Sequence, residues 1–400
     1  MTLWDRFRAG CGLFAIVGAV LLNMLLLTAI SPILSTIAQH FGGGSSTQIT
    51  TQMIVTMTGL GIMFASPVSG WLADRFGLKA VMLGAFALYG VAGSAGLFIE
   101  DTTALLAARF IQGMSASGIA VTSYAMIGER FSGAQRGRVL GYQAAIVAAA
   151  GFVTGLGAGQ LAEWGGWRAP FGLYLFGFFM LAMALVGSGL PTGRPAAARP
   201  AEIAAPGGSL LSIWHLYVML VPLYAAGFMF YLQLSFVMAA DGITGPGRQA
   251  QILSVITVLH FVTGLFYGRV VERLGTRRTF AMILAVMAAG NLAVGIGQGI
   301  PAMVIGCAFI GLSAGSMVPF IINLITTRAP AGQRSRALGI MYALSYIGQF
   351  LNPLVITPLR GTIGDHQAFL LVGLLLLAGA LVQATLPRSV SYELAAKPAA

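Results

Sequence analysis

The sequence predicts an all-α membrane protein of twelve transmembrane helices in two pseudo-symmetric six-helix halves. Three observations carry that expectation. Only 8% of the 400 residues are charged and 57% are hydrophobic, at a mean hydropathy of +0.86, whereas a soluble chain carries about a quarter charged residues. Apolar runs near the roughly 20 residues that a spanning helix needs recur twelve times. A short charged motif also appears twice.

The runs cover 10–31, 49–71, 79–99, 102–126, 138–160, 168–190, 213–239, 249–268, 279–298, 301–325, 337–358 and 367–386. They lack the two-residue alternation of barrel strands. Helices satisfy their own backbone in lipid, so a helical bundle is the consistent architecture. The first run follows Arg6 and Arg8 and imitates a signal peptide; it is expected to stay as the first span, because the symmetric count needs it.

The net charge of +11 reports topology rather than a nucleic-acid partner. With both termini cytoplasmic, the outer side keeps Arg168, Arg248 and Arg360, one helix holds Arg109, and the other Lys and Arg fall inside. That asymmetry follows the positive-inside rule and places the chain in the cytoplasmic (inner) membrane. Cys11 and Cys307 both lie in spans, so neither reads as part of a disulfide or metal framework.

"GWLADRFGLK" at 70–79 matches "GRVVERLGTR" at 268–277 with an offset of 198 (268 − 70). The same offset pairs "QRGRVLG" at 135–141 with "QRSRALG" at 333–339, and Gly113 with Gly311. One unit is therefore used twice. The expected division is a half at 1–190, a flexible Pro- and Ala-rich cytoplasmic linker at 191–212 and a half at 213–400.

These residues resemble the major facilitator superfamily, most of all its drug and metabolite efflux members. "GWLADRFGLK" resembles the signature loop between helices 2 and 3, "RFIQGMSASG" at 109–118 the helix-4 motif, and "GWRAPF" at 166–171 the helix 5–6 junction. The resemblance implies an alternating-access transporter in which Asp74 braces helix 2 against helix 11 when the cytoplasmic side is closed. Gly70, Arg75, Gly77 and Lys79 would support that gate, with Glu272 and Arg273 as the repeat counterparts. The alternative for the motif is plain topological charge at a loop. Gly151, Gly155 and Gly159 recur every four residues in helix 5; close packing explains them, and an antiporter glycine motif is the other reading.

An ionisable residue inside a span is a functional hypothesis by default. Arg109, with Gln112 beside it, could bind a substrate carboxylate or take part in proton coupling; alternatively it snorkels toward Glu100 or Asp101. His260 and Asp241 are the other proton-coupling candidates, His260 because an imidazole titrates near neutral pH. Each could equally be a packing or helix-end residue. Asn23, Tyr231, Tyr342, Tyr346 and Gln349 are candidate substrate contacts, or else interhelical hydrogen bonds. Helix 1 holds no carboxylate, which argues against a strongly cationic substrate.

No nucleophile, metal cluster or phosphate loop occurs, so neither an enzyme nor a cofactor is expected. The expected function is secondary active transport of a small organic solute, as proton-coupled export of an anionic or neutral amphiphile by a monomer in the lipid bilayer. The alternatives are uptake or facilitated diffusion of an organic anion, and a transporter-like sensor.

Overall fold

The computed structural model describes residues 2–131, 133–187, 190, 213–329 and 334–385; the expected linker at 191–212 lies outside them. The first span is broken. It comprises α1 (Leu3–Gly18), α2 (Val20–Thr28), a 3-10 turn at Ser31–Ile33 and α3 (Leu34–His40). There follow α4 (Ser45–Phe76), α5 (Leu78–Ser94), α6 (Thr102–Arg130) and α7 (Gly133–Gly165). A 3-10 segment at Ala169–Leu175 then leads into α8 (Phe176–Val186). The second half holds α9 (Trp214–Gly227) and α10 (Met229–Ala240), which form another broken span, then α11 (Pro246–Ile296), α12 (Gly299–Arg328), α13 (Arg334–Ile363) and α14 (Asp365–Thr385).

Among the described residues, ten segments are long and apolar enough to cross a membrane. One of them, α11, is 51 residues long and is two helices meeting at Gly275, whose backbone is non-helical at φ 71° and ψ 166°. With α7, a 33-residue helix, that makes the twelve expected spans.

Local chemistry explains the breaks. Pro32 lacks an N–H and its ring crowds the carbonyl four residues back, so α2 stops at Thr28. Hydropathy could not foresee this, because both sides of the break are apolar. Gly77 turns α4 into α5 at φ 88°, in a region that a side chain would strain. Gly275 does the same one repeat later.

The repeat also recurs as packing. A Cβ on Gly113 would strike the Thr58 carbonyl, and a Cβ on Gly311 would strike that of Ile256. Both members of the second pair are displaced by the sequence offset (311 − 113 and 256 − 58). Small residues at these points let the backbones of α4 and α6, and of α11 and α12, come into contact, the main route to tight packing where lipid removes the hydrophobic drive.

Two apolar cores result. One is built from residues 15–190, including Phe86, Tyr89, Phe171 and Tyr174, and is joined by Leu232 and Phe236 of α10. The other is built from residues 213–380, with Phe280 and Phe320 stacked at 5.3 Å. The surface between them carries the site.

Candidate functional site

The bundle has a basic end, bearing Asp74, Arg75, Lys79, Glu272, Arg273 and Arg277, and a far end, bearing Glu100, Glu163 and Asp241. Toward the far end, hydrogen bonds join residues 2–190 to residues 213–385. Gln52 of α4 donates to Gln233 of α10 at 3.0 Å, and Thr357 of α13 donates to Gln52 at 2.7 Å. Gln233 in turn donates to Asn352 at 2.9 Å and accepts from Arg360 at 2.9 Å. Nearby, Ser235 donates to Ser35 at 3.0 Å, and Glu163 accepts the Gly247 N–H at 2.9 Å. Buried amides and hydroxyls must find partners, and here they find them in the opposite half. The far end is closed.

The glycine stripe of α7 belongs to the same closure. Added side-chain carbons would meet Thr257 at Gly151, Thr28 at Gly155, and Ala250 with the Pro246 backbone at Gly159. Packing against α2 and α11 accounts for these three positions.

The basic end carries the charged loop motif and its repeat counterpart. Asp74, Arg75, Glu272 and Arg273 are exposed, and Asp74 has no ion pair among the described residues. Lys79 is partly buried, and Arg75 lies over the Trp71 ring of its own helix at 5.4 Å. Nothing lies within 4 Å of a Cβ placed on Gly70 or Gly268.

Between these ends stands a cluster of uncharged side chains. Tyr342 and Tyr346 of α13 and Tyr224 of α9 lie within electrostatic reach of one another, and Tyr124 of α6 adjoins them from the other half. Tyr342 is 48% exposed and Tyr124 51%. Gln349 and Tyr346 press on Gly59 of α4, where an added Cβ would meet both within 3 Å. Tyr231 faces Thr257 of α11. Asn23 is half-buried, with its side-chain oxygen unpartnered among the described residues.

Arg109 is placed elsewhere, and the expectation of a cavity-facing anchor is corrected here. It is wholly buried inside the first half, donating to the Leu26 carbonyl at 3.1 Å, the Ile54 carbonyl at 2.8 Å and the Gln112 side chain. Its guanidinium lies 4.8 Å from the Tyr174 ring centroid. The cause is the break after Thr28. Carbonyls at a helix C-terminus lack intrahelical partners and carry the negative end of the dipole. Arg109 takes the Leu26 carbonyl, and the Leu25 carbonyl, already bonded to the Ala29 N–H at 3.2 Å, also accepts from Tyr174 at 3.2 Å. The side-chain oxygen of Gln112 is spent on Arg109. The alternative contact to Glu100 is not made either, since that carboxylate pairs with Arg168 at 2.8 Å, which holds it below the usual carboxylate range.

Of the proton-coupling candidates, Asp241 is engaged at the far end. It accepts the Gly299 N–H at 3.1 Å and lies 3.0 Å from His366 Nε2. His260 is partly buried on α11, and Gly315 of α12 packs against its backbone carbonyl. Sequence reasoning missed His366, Gln52, Thr357 and the burial of Arg360. A signal was present for the last two: Gln349, Asn352, Thr357 and Arg360 share one face of a helix at 3.6 residues per turn. No group of three or more metal-ligating side chains occurs among the described residues.

The family model of the Major Facilitator Superfamily matches residues 16–245 and again 242–400. At 27% identity over 374 residues, covering 86% of each chain, the protein is similar to the multidrug efflux pump Tap of Mycobacterium tuberculosis (strain ATCC 25618 / H37Rv). It is 27% identical over 263 residues to the chloramphenicol resistance protein of Pseudomonas aeruginosa, covering 63% of this chain and 60% of that one. Its fold is similar to the inward-open xylose transporter XylE of E. coli, at a TM-score of 0.71 and 16% identity over 96% of this chain and 98% of that one. Twelve spans, a doubled packing motif and a family match over nearly the whole chain lead to one conclusion: the protein belongs to the Major Facilitator Superfamily and is a multi-pass membrane transporter, not an enzyme.

Proposed function

We propose that the protein exports a small neutral amphiphile across the cytoplasmic membrane in exchange for protons. The two six-helix halves rock about the tyrosine-lined space, and the basic end faces the cytoplasm in accord with the positive-inside rule. One observation carries this reading: Tyr124, Tyr224, Tyr342, Tyr346 and Gln349, all uncharged, gather where the two halves face each other. Tyrosine rings and amides suit a ligand with an apolar body and a few polar groups. The burial of Arg109 removes the support for an anionic substrate and weakens anion uptake with it. Relatives named for multidrug efflux and for chloramphenicol resistance support the outward direction. His260 supplies a titratable group within a span for the exchanged proton.

Purified protein in liposomes, loaded with a neutral phenylpropanoid antibiotic such as chloramphenicol, tests the reading. An inward-directed proton gradient should drive drug efflux, and drug efflux should alkalinise the outer medium. Gradient-dependent movement of cationic dyes alone, or drug flux with no proton movement, would overturn it.

A further inference from the structure

Just outside the closed far end lies a cavity of about 330 Å³ whose walls come from both halves. Gln39, Ser45 and Gln48 line it on one side, and Thr357, Arg360 and Asp365 on the other. Its volume falls within the range of small-molecule sites, roughly 300–1,000 Å³. It lies above the bridge of Gln52, Gln233 and Thr357 and is distinct from the tyrosine-lined space.

The chemistry of this cavity is unlike that of the rest of the bundle. Arg360 is only 5% exposed, a costly placement for a guanidinium. One edge lies against a single oxygen of Asp365, with Nε at 2.9 Å and a terminal nitrogen at 2.7 Å; the other terminal nitrogen donates to Gln233 at 2.9 Å. A guanidinium has five N–H groups, so two remain beyond these contacts. Among the described residues, the second oxygen of Asp365 accepts no hydrogen bond, and the amides of Gln39 and Gln48 have no partner. A cavity with spare donors on a cation, a spare carboxylate oxygen beside them and two unengaged amides offers both charges at once.

We propose that this vestibule is a second ligand site, which takes a small zwitterion carrying a carboxylate and an ammonium. The carboxylate meets Arg360, the ammonium meets Asp365, and the amides hold the remaining polar groups. Because the ligand touches both halves, it binds only while the far end is shut. It therefore favours that conformation by mass action and slows turnover when supplied from that side. The site does not depend on which solute the tyrosine-lined space carries.

L-glutamine, glutaramate (which lacks the ammonium) and 4-aminobutanamide (which lacks the carboxylate) are matched probes at equal millimolar concentration. In a thermal-shift assay of the full-length protein, glutamine should raise the melting temperature by about 2 °C at saturating excess, and each half-molecule by clearly less. The shift should vanish in Ala240→Trp, which fills the cavity from an exposed wall position, and in Gln48→Leu. Three results would overturn the proposal: no shift from any probe, an equal shift from glutaramate, or a glutamine shift that survives in Ala240→Trp.

Discussion

Gln52 and Gln233, on helices of opposite halves, hydrogen-bond each other at 3.0 Å and stand in a buried cluster with Thr357, Asn352 and Arg360. This cluster is the clasp of the far end. Gln233→Leu removes a partner from each of its neighbours, and an unsatisfied buried polar group costs about 1–3 kcal/mol. The variant is expected to melt lower and to open the far end more often. An engineered cysteine at Ser235, buried against Ser35 of the other half in the closed state, should then react faster with a membrane-impermeant maleimide. Equal labelling in the variant and its parent would show that closure rests on apolar packing instead.

Arg109 caps the broken first span, so its loss should act on stability before it acts on substrate affinity. Arg109→Met strips partners from the Leu26 and Ile54 carbonyls and is expected to cost about 3 kcal/mol. Thermal melts should fall sharply, while the KM for a neutral solute in the surviving folded protein stays within about twofold of wild type. A large rise in KM at unchanged melting temperature would restore a substrate contact for this residue.

Two glycines of the first half make opposite predictions. A Cβ on Gly113 would collide with the backbone at Thr58, so Gly113→Ala should destabilise by about 3 kcal/mol or fail to fold. Gly70 has open space around it, and an alanine in a helix gains about 1 kcal/mol in propensity over glycine. Gly70→Leu is therefore expected to melt no lower than wild type. If the basic end closes through Asp74 and its neighbours in the alternate conformation, the same variant should transport several-fold more slowly. Undiminished flux would remove Gly70 from the gate.

The Glu100–Arg168 pair sets a small acid dependence. The arginine lowers the carboxyl pKa in the folded protein, so the pair's contribution is present above the ordinary carboxylate range and is lost as pH falls through the lowered value. Exposed pairs contribute little. The melting temperatures of wild type and Glu100→Gln should differ slightly at neutral pH and converge as acidification protonates the carboxyl in both folded and unfolded chains. Divergence on acidification would contradict the sign.

Much of the architecture was legible from one chain of letters. Apolar run lengths counted the spans, and "GWLADRFGLK" with "GRVVERLGTR" revealed the doubled unit. Gly77 and Gly275 marked turns that only glycine takes without strain. These features are local, set by the solvent a segment needs or by the backbone of a single residue. The residues of the candidate site were legible only as types. The sequence showed Arg109 inside a span and the polar side chains of α13 on one face. It held no statement of which neighbour each face would meet.

Only the tertiary structure decided that. Helical periodicity states which residues share a face, but not whether the face turns toward its own half, the other half or lipid. Arg109 turned inward because the break at Pro32 left the Leu26 carbonyl in need of a donor. Gln52 and Thr357, unremarkable as letters, became a clasp because the two halves meet at the far end in this conformation and buried amides there had no other partner.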